Sequence, residues 1–128
     1  MEREKIIEIL NEWNFWNRPL PKVYSRKKYE DQIGKKYKTE EIIFLKGVRR
    51  SGKSTILINH IKNLLRQGVS KEEILFVNLE DPRFVPYLSL ELLEEIKNAY
   101  LFYLNPKNKP HIFLDEIQNI EGFEKWLL

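Results

Sequence analysis

Eight consecutive residues, Gly47-Val48-Arg49-Arg50-Ser51-Gly52-Lys53-Ser54, run in the order G-x-x-x-x-G-K-[ST]. The residue types match what a triphosphate needs. Successive backbone N–H groups converge on phosphate oxygens only where no side chain blocks the approach, and Gly47 and Gly52 give that freedom. Lys53 carries an ammonium toward the β- and γ-phosphates, and the Ser54 hydroxyl suits a Mg²⁺ that takes oxygen ligands. The segment Gly47, Val48, Arg49, Arg50, Ser51, Gly52, Lys53, Ser54 and Thr55 is therefore a candidate phosphate-binding loop. Arg49 and Arg50 face three options, namely phosphate, a partner or water.

A second group lies downstream, where the apolar run His111-Ile112-Phe113-Leu114 ends in Asp115-Glu116. At the C-terminal edge of a parallel sheet, where open α/β folds bind ligands, Asp115 would hold Mg²⁺ through a coordinated water beside Ser54. Glu116 would orient or deprotonate the water that attacks the γ-phosphate, which requires a carboxylate within hydrogen-bond reach. Taken singly, such a pair is as often an ordinary strand end; downstream of the loop it gains weight. Gln118 reads either as a γ-phosphate or subunit contact or as a polar turn residue. His60 and His111 lack ligand spacing and read as structural.

Both groups need elements that position them. Glu41-Ile42-Ile43-Phe44-Leu45 predicts a first strand entering the loop, and Ser54 to Arg66 predicts a helix with Leu57, Ile58, Ile61, Leu64 and Leu65 on one stripe, stopping near Gln67-Gly68. Ile74 to Leu79 is nearly continuous in apolar residues, the pattern of a strand covered on both faces. Ser89 fits the N-cap of a further helix with Glu91 in its first turn and a stripe of Leu92, Leu93, Ile96, Tyr100, Tyr103 and Leu104, broken by Asn105-Pro106. Ahead of the loop, Lys5 to Phe15 predicts a helix with Ile6, Ile9, Leu10 and Trp13 on one face, followed by an extended Arg18-Pro19-Leu20-Pro21. Residues 25–36 predict a short helix, with Tyr29, Ile33 and Tyr37 at i, i+4 spacing. Trp13 and Trp16 read as packing anchors in preference to a base platform. The alternation of strands and helices predicts an α/β domain with right-handed crossovers.

The chain has 128 residues, 42% of them hydrophobic, which is the size of one domain with a core of its own. It has no cysteine, which excludes disulfides and Cys-based zinc sites and suits a reducing cytoplasm. Neither a signal-type segment nor an apolar run of the roughly 20 residues needed to cross a bilayer occurs, so no membrane association is expected. The net charge is +3, and its basic excess lies at the front. Arg18, Lys22, Arg26, Lys27, Lys28, Lys35, Lys36 and Lys38 are interleaved with Tyr24, Tyr29 and Tyr37. That tract reads either as a solvated face or as a nucleic-acid surface.

Together, the motifs at 47–55 and 112–118 resemble those of AAA+ superfamily ATPases. They are most similar to an archaeal and bacterial ATPase family with paired arginines in the loop, an Asp-Glu-hydrophobic-Gln acidic strand and a following segment like Gly122-Phe123-Glu124-Lys125-Trp126-Leu127. The resemblance implies a three-layer P-loop NTPase core with a mainly parallel sheet. It implies ATP and Mg²⁺ as cofactors, with Lys53 and Glu116 catalytic and Ser54 and Asp115 on the metal. It divides residues 1–128, as a single partial domain, into an N-terminal helical and basic extension over 1–40 and the P-loop core over 41–128. Domains of this type continue beyond the acidic strand with a sensor strand, an arginine finger and a helical lid, so the core is expected to be incomplete.

In the superfamily a strand separates the first and third strands. Three arrangements follow: an open slot, direct pairing of those two strands, or a partner chain or oligomer that completes the sheet and supplies the arginine. The leading expectation is an ATPase core. The alternatives are a nucleotide-gated switch with negligible hydrolysis, and a nucleic-acid-linked motor or loader.

Overall fold

The computed structural model describes the backbone of residues 1–21, 41–45 and 50–127, and the side chains of these except 41, 43, 45, 50–54 and 127. The helix expected over 25–36 and most of the basic tract lie outside the described residues. In chain order the elements are α1 (Arg3–Trp13), β1 (Glu41–Leu45), α2 (Arg50–Arg66), β2 (Ile74–Asn78), α3 (Leu90–Leu104), β3 (His111–Asp115) and α4 (Phe123–Leu127). No described helix is long and apolar enough to cross a membrane.

The three strands form one parallel sheet in the order β1-β3-β2. Of the arrangements open from sequence, direct pairing of the first and third strands is the one adopted, with Glu41 opposite His111 and Leu45 opposite Asp115. It satisfies backbone groups that an open slot between them would leave exposed. On the other flank of β3, Ile74 pairs with His111 and Asn78 with Asp115.

Side-chain alternation along each strand divides the core between the two faces of the sheet. One face carries the aligned rows Ile42, Ile112, Leu75 and Phe44, Leu114, Val77, packed against Ile6, Ile9 and Leu10 of α1 and Leu92, Leu93, Ile96, Ala99 and Tyr100 of α3. Phe123 and Trp126 of α4 join this side, with Phe44 and Phe123 edge to face at 6.0 Å. The other face carries Ile74, Phe76 and Phe113 beneath Leu57, Ile61 and Leu64 of α2. The result is an α/β fold of three layers with a parallel sheet in the middle. Phe113 is fully buried and takes the ring of His60 edge-on at 5.2 Å, which gives that histidine a packing role.

Helix ends follow local chemistry. Gly68 adopts φ +97° after α2, the N–H of Gly68 bonds the Leu65 carbonyl, and that of Val69 reaches the Leu64 carbonyl at 3.1 Å. This is the paired-bond C-terminal cap that glycine allows, and Val69 and Leu64 share one apolar cluster. Ser89 caps α3 by accepting the Leu92 N–H at 3.1 Å, and Asn105 ends the helix at φ 43°. Of the expected α3 stripe, Leu92, Leu93, Ile96 and Tyr100 are buried and Leu104 packs partly buried on the same core, whereas Tyr103 is 42% exposed.

The segment after α1 seals the open edge of β2. The Asn14 side chain, 3% exposed, donates to the Phe76 carbonyl at 2.9 Å and accepts the Phe76 N–H at 2.7 Å. Its amide thus pairs with the strand as a neighbouring backbone would. Trp16 donates its indole N–H to the Ile74 carbonyl at 2.8 Å and stacks on Tyr100. Trp13 meets Phe76 edge to face and donates to Asp81. Trp16 is a packing anchor, whereas Trp13, 36% exposed, sits at the surface and is held by its contacts with Phe76 and Asp81.

Candidate functional site

The candidate site lies at the C-terminal edge of the sheet. β1 ends at Leu45, and the backbone of α2 is helical from Arg50, earlier than the Ser54 expected. Residues 46–49, including Gly47, Val48 and Arg49, lie outside the described residues. Arg50, Ser51, Gly52, Lys53 and Ser54 open α2, and the backbone N–H groups at the very start of a helix, here through Gly52, have no intrahelical acceptor. A helix start of this kind carries a partial positive charge and attracts phosphate. Thr55 follows in the same helix and is partly buried.

Asp115 is the last residue of β3, the central strand, in register with Leu45 on one side and Asn78 on the other. Adjacent strands are about 4.8 Å apart, so the Asp115 backbone is one strand spacing from the point where the chain leaves β1 for the loop. The Asp115 carbonyl accepts the Leu79 N–H at 3.2 Å, which fixes the strand end. The Asn78 side chain accepts the Glu80 N–H at 3.0 Å and turns the chain after β2.

Glu116 leaves the strand in the left-handed region, at φ 62° and ψ 39°. A residue with a side chain there costs about 1–2 kcal/mol, and glutamate has no local compensation of the kind asparagine has. The conformation is imposed from behind by the next residues. Ile117 and Ile120 are buried in the core, and the turn between them is closed by Asn119 N–H to the Glu116 carbonyl at 3.1 Å and Ile120 N–H to the Ile117 carbonyl at 3.0 Å. Glu116 itself is half-buried, and its carboxylate accepts a hydrogen bond from the Gln118 side-chain amide. Sequence reasoning singled out both residues but not their contact; the order Glu-Ile-Gln before a buried isoleucine was the available signal.

A further charged group lies three residues beyond β2. Asp81 is 3% exposed and receives the Arg83 backbone N–H at 2.8 Å, the Arg83 guanidinium at 2.8 and 3.0 Å, and the Trp13 indole at 2.8 Å. Hydrogen bonding from Arg83, helped by Trp13 and opposed by burial, holds this carboxyl well below the usual carboxylate range. Arg83 also pairs with Glu12 of α1, and both partners hold its guanidinium charged. Asp81-Pro82 reads in the sequence only as a strand stop, and nothing local announces that its partner is Trp13, 68 residues away.

Among the described residues no three His, Cys, Asp or Glu converge as a metal cage. A Mg²⁺ held beside phosphates needs only one or two protein ligands, so an Asp at a strand end and a hydroxyl on a helix start fit that ion's chemistry. A shallow apolar groove lined by Phe15, Trp16, Leu20, Ile61, Lys71 and Ile74 lies at the N-terminal end of β2, the opposite edge of the sheet.

Comparison with known proteins adds a family. Residues 39–128 match a sequence family described as an AAA domain. An uncharacterised protein of Haemophilus influenzae is 31% identical over 101 residues, covering 79% of this chain and 25% of the relative. An uncharacterised protein of Methanocaldococcus jannaschii is 33% identical over 81 residues, covering 63% of this chain and 16% of the relative. The chain thus spans a quarter or less of the curated relatives it matches. No solved structure gives a significant match.

Proposed function

The chain belongs to the AAA domain family, and from that premise we propose that it binds Mg-ATP at the C-terminal edge of its sheet and hydrolyses it. In this reading residues Gly47–Thr55 enclose the phosphates, Lys53 neutralises the β- and γ-phosphates, and Ser54 with Asp115 holds the metal, the latter through water. When bound, Mg²⁺ spreads the charge of the phosphates and orients them. Glu116 orients the attacking water and accepts its proton as the bond from the γ-phosphorus to ADP breaks. The observation that carries the reading is the register of Leu45 with Asp115, which brings the exit of β1, the start of α2 and the two carboxylates to one edge. The left-handed backbone at Glu116 supports it, because residues that the surrounding core holds in such strain cluster at active sites. We also read residues 1–128 as one domain, with 41–128 as the nucleotide-binding core and 1–40 as an extension, a division supported by the family match beginning at residue 39.

The test is binding and single-turnover phosphate release by the full chain and by Glu116→Gln. The expected result is unchanged Mg-ATP affinity with turnover lost by about 10²-fold or more, the range that general-base groups contribute. Tight binding with no phosphate release from the unmodified chain would leave a nucleotide-gated switch and overturn hydrolysis.

A further inference from the structure

The turn after β3 contains a contact that the reaction as described does not use. Glu116 takes the left-handed conformation, the chain then makes a tight turn over Ile117–Asn119, and the Gln118 amide comes round to donate to the Glu116 carboxylate. The turn is not free to choose another shape, since Ile117 and Ile120 are 4% and 1% exposed and anchor it in the core beneath the sheet. Gln118 itself is exposed, so packing does not account for the glutamine.

The chemistry of the side chain does. A carboxylate that must orient a water has to be held in one rotamer while keeping its negative charge and one oxygen for the water. A lysine or arginine would form an ion pair and compete with the water for the carboxylate; a hydroxyl is too short to reach back over the turn. A glutamine amide donates through N–H, carries no charge and has the required length. We propose that Gln118 is a positioning residue, whose amide uses the left-handed turn at Glu116 to fix that carboxylate for the attacking water. The proposal rests on the hydrolysis reading above and adds the device that orients its base.

Three measurements on the full chain test it. The side-chain amide resonance of Gln118 in the nucleotide-free protein should move on Glu116→Ala and stay in place on Glu121→Ala. Gln118→Ala should lower kcat about 10-fold with Mg-ATP affinity unchanged, the scale of loss that follows slight misplacement of a reacting group. Gln118→Glu, which keeps the shape and removes the donor, should lose at least as much. In a Glu116→Asp background, where the shorter carboxylate no longer reaches the amide, Gln118→Ala should cost nothing further, as expected of two groups acting as one unit. An additive loss there would assign Gln118 a separate contact and overturn the proposal, as would an amide resonance indifferent to Glu116. A moving resonance with full turnover in Gln118→Ala would defeat the positioning role alone. A chain that binds Mg-ATP and releases no phosphate would defeat the hydrolysis reading and this role together, with the resonance still reporting the contact.

Discussion

Replacing Asn14 by alanine removes the only side chain that pairs with the middle of β2 from its open edge among the described residues. The Phe76 N–H and carbonyl, both in a residue 7% exposed, lose partners at 2.7 and 2.9 Å. The Leu10 carbonyl loses one donor at 2.7 Å but keeps the Asn14 backbone N–H at 3.0 Å. A buried backbone group left without a partner costs about 1–3 kcal/mol. Two such groups, eased by water entering the vacated edge, place the loss at about 2–4 kcal/mol, or on the order of 10 °C in Tm for a domain of this size.

Urea denaturation of wild type, Asn14→Ala and Asn14→Asp at pH 7 and pH 4 measures it. The aspartate variant keeps an acceptor for the Phe76 N–H but turns a carboxylate oxygen toward the Phe76 and Leu10 carbonyls. Only its neutral form can donate there, so its folded pKa is raised. That contribution is present below the unfolded pKa and lost as pH rises through the folded value. Asn14→Asp should therefore be at least as unstable as Asn14→Ala at pH 7 and gain on it at pH 4. If Asn14→Ala costs under about 0.5 kcal/mol, a typical surface effect, the edge-sealing argument is refuted.

The Asp81 clamp gives an acid-dependent prediction: Asp81→Asn should cost about 1.5–3 kcal/mol at pH 7, the range for hydrogen bonds to charged groups. Because the folded pKa of Asp81 is depressed, its contribution is present above the unfolded value near 4 and lost as pH falls below it. Urea melts at pH 7 and pH 3 should show the gap between wild type and variant narrowing in acid. At the strained position, Glu116→Gly should be about 1 kcal/mol more stable than Glu116→Ala by thermal unfolding, since only glycine relaxes there, while neither variant turns over ATP.

Much of the fold is legible because periodicity reports burial. The bounds of β1 match the apolar run Glu41–Leu45, and Ser89 and Gly68 mark helix ends because their side chain, or the lack of one, does the capping. The early start of α2 is not legible, since Arg50 to Lys53 offers no apolar rhythm and Gly52 disfavours helix. Strand order escapes too, because the pairing of Leu45 with Asp115 joins residues 70 apart in sequence and depends on which strands compete for the slot. Asn14, Trp13 and Asp81 share that difficulty, as each is defined by a distant partner. At the proposed site, residue types and spacing are what suggest roles for Lys53, Ser54, Asp115 and Glu116. The backbone of Glu116 does not announce itself, since glutamate is a poor left-handed residue and the core forces it there through Ile117 and Ile120.

The central claim is that residues 47–55 form the phosphate site of a nucleotide-binding domain, and calorimetric titration of Mg-ATP into the full chain and into Lys53→Ala tests it most directly. The account predicts saturable binding at one site per chain, weakened at least 10-fold by loss of the ammonium, about 1.4 kcal/mol or more. Equal affinity in the two proteins would contradict it.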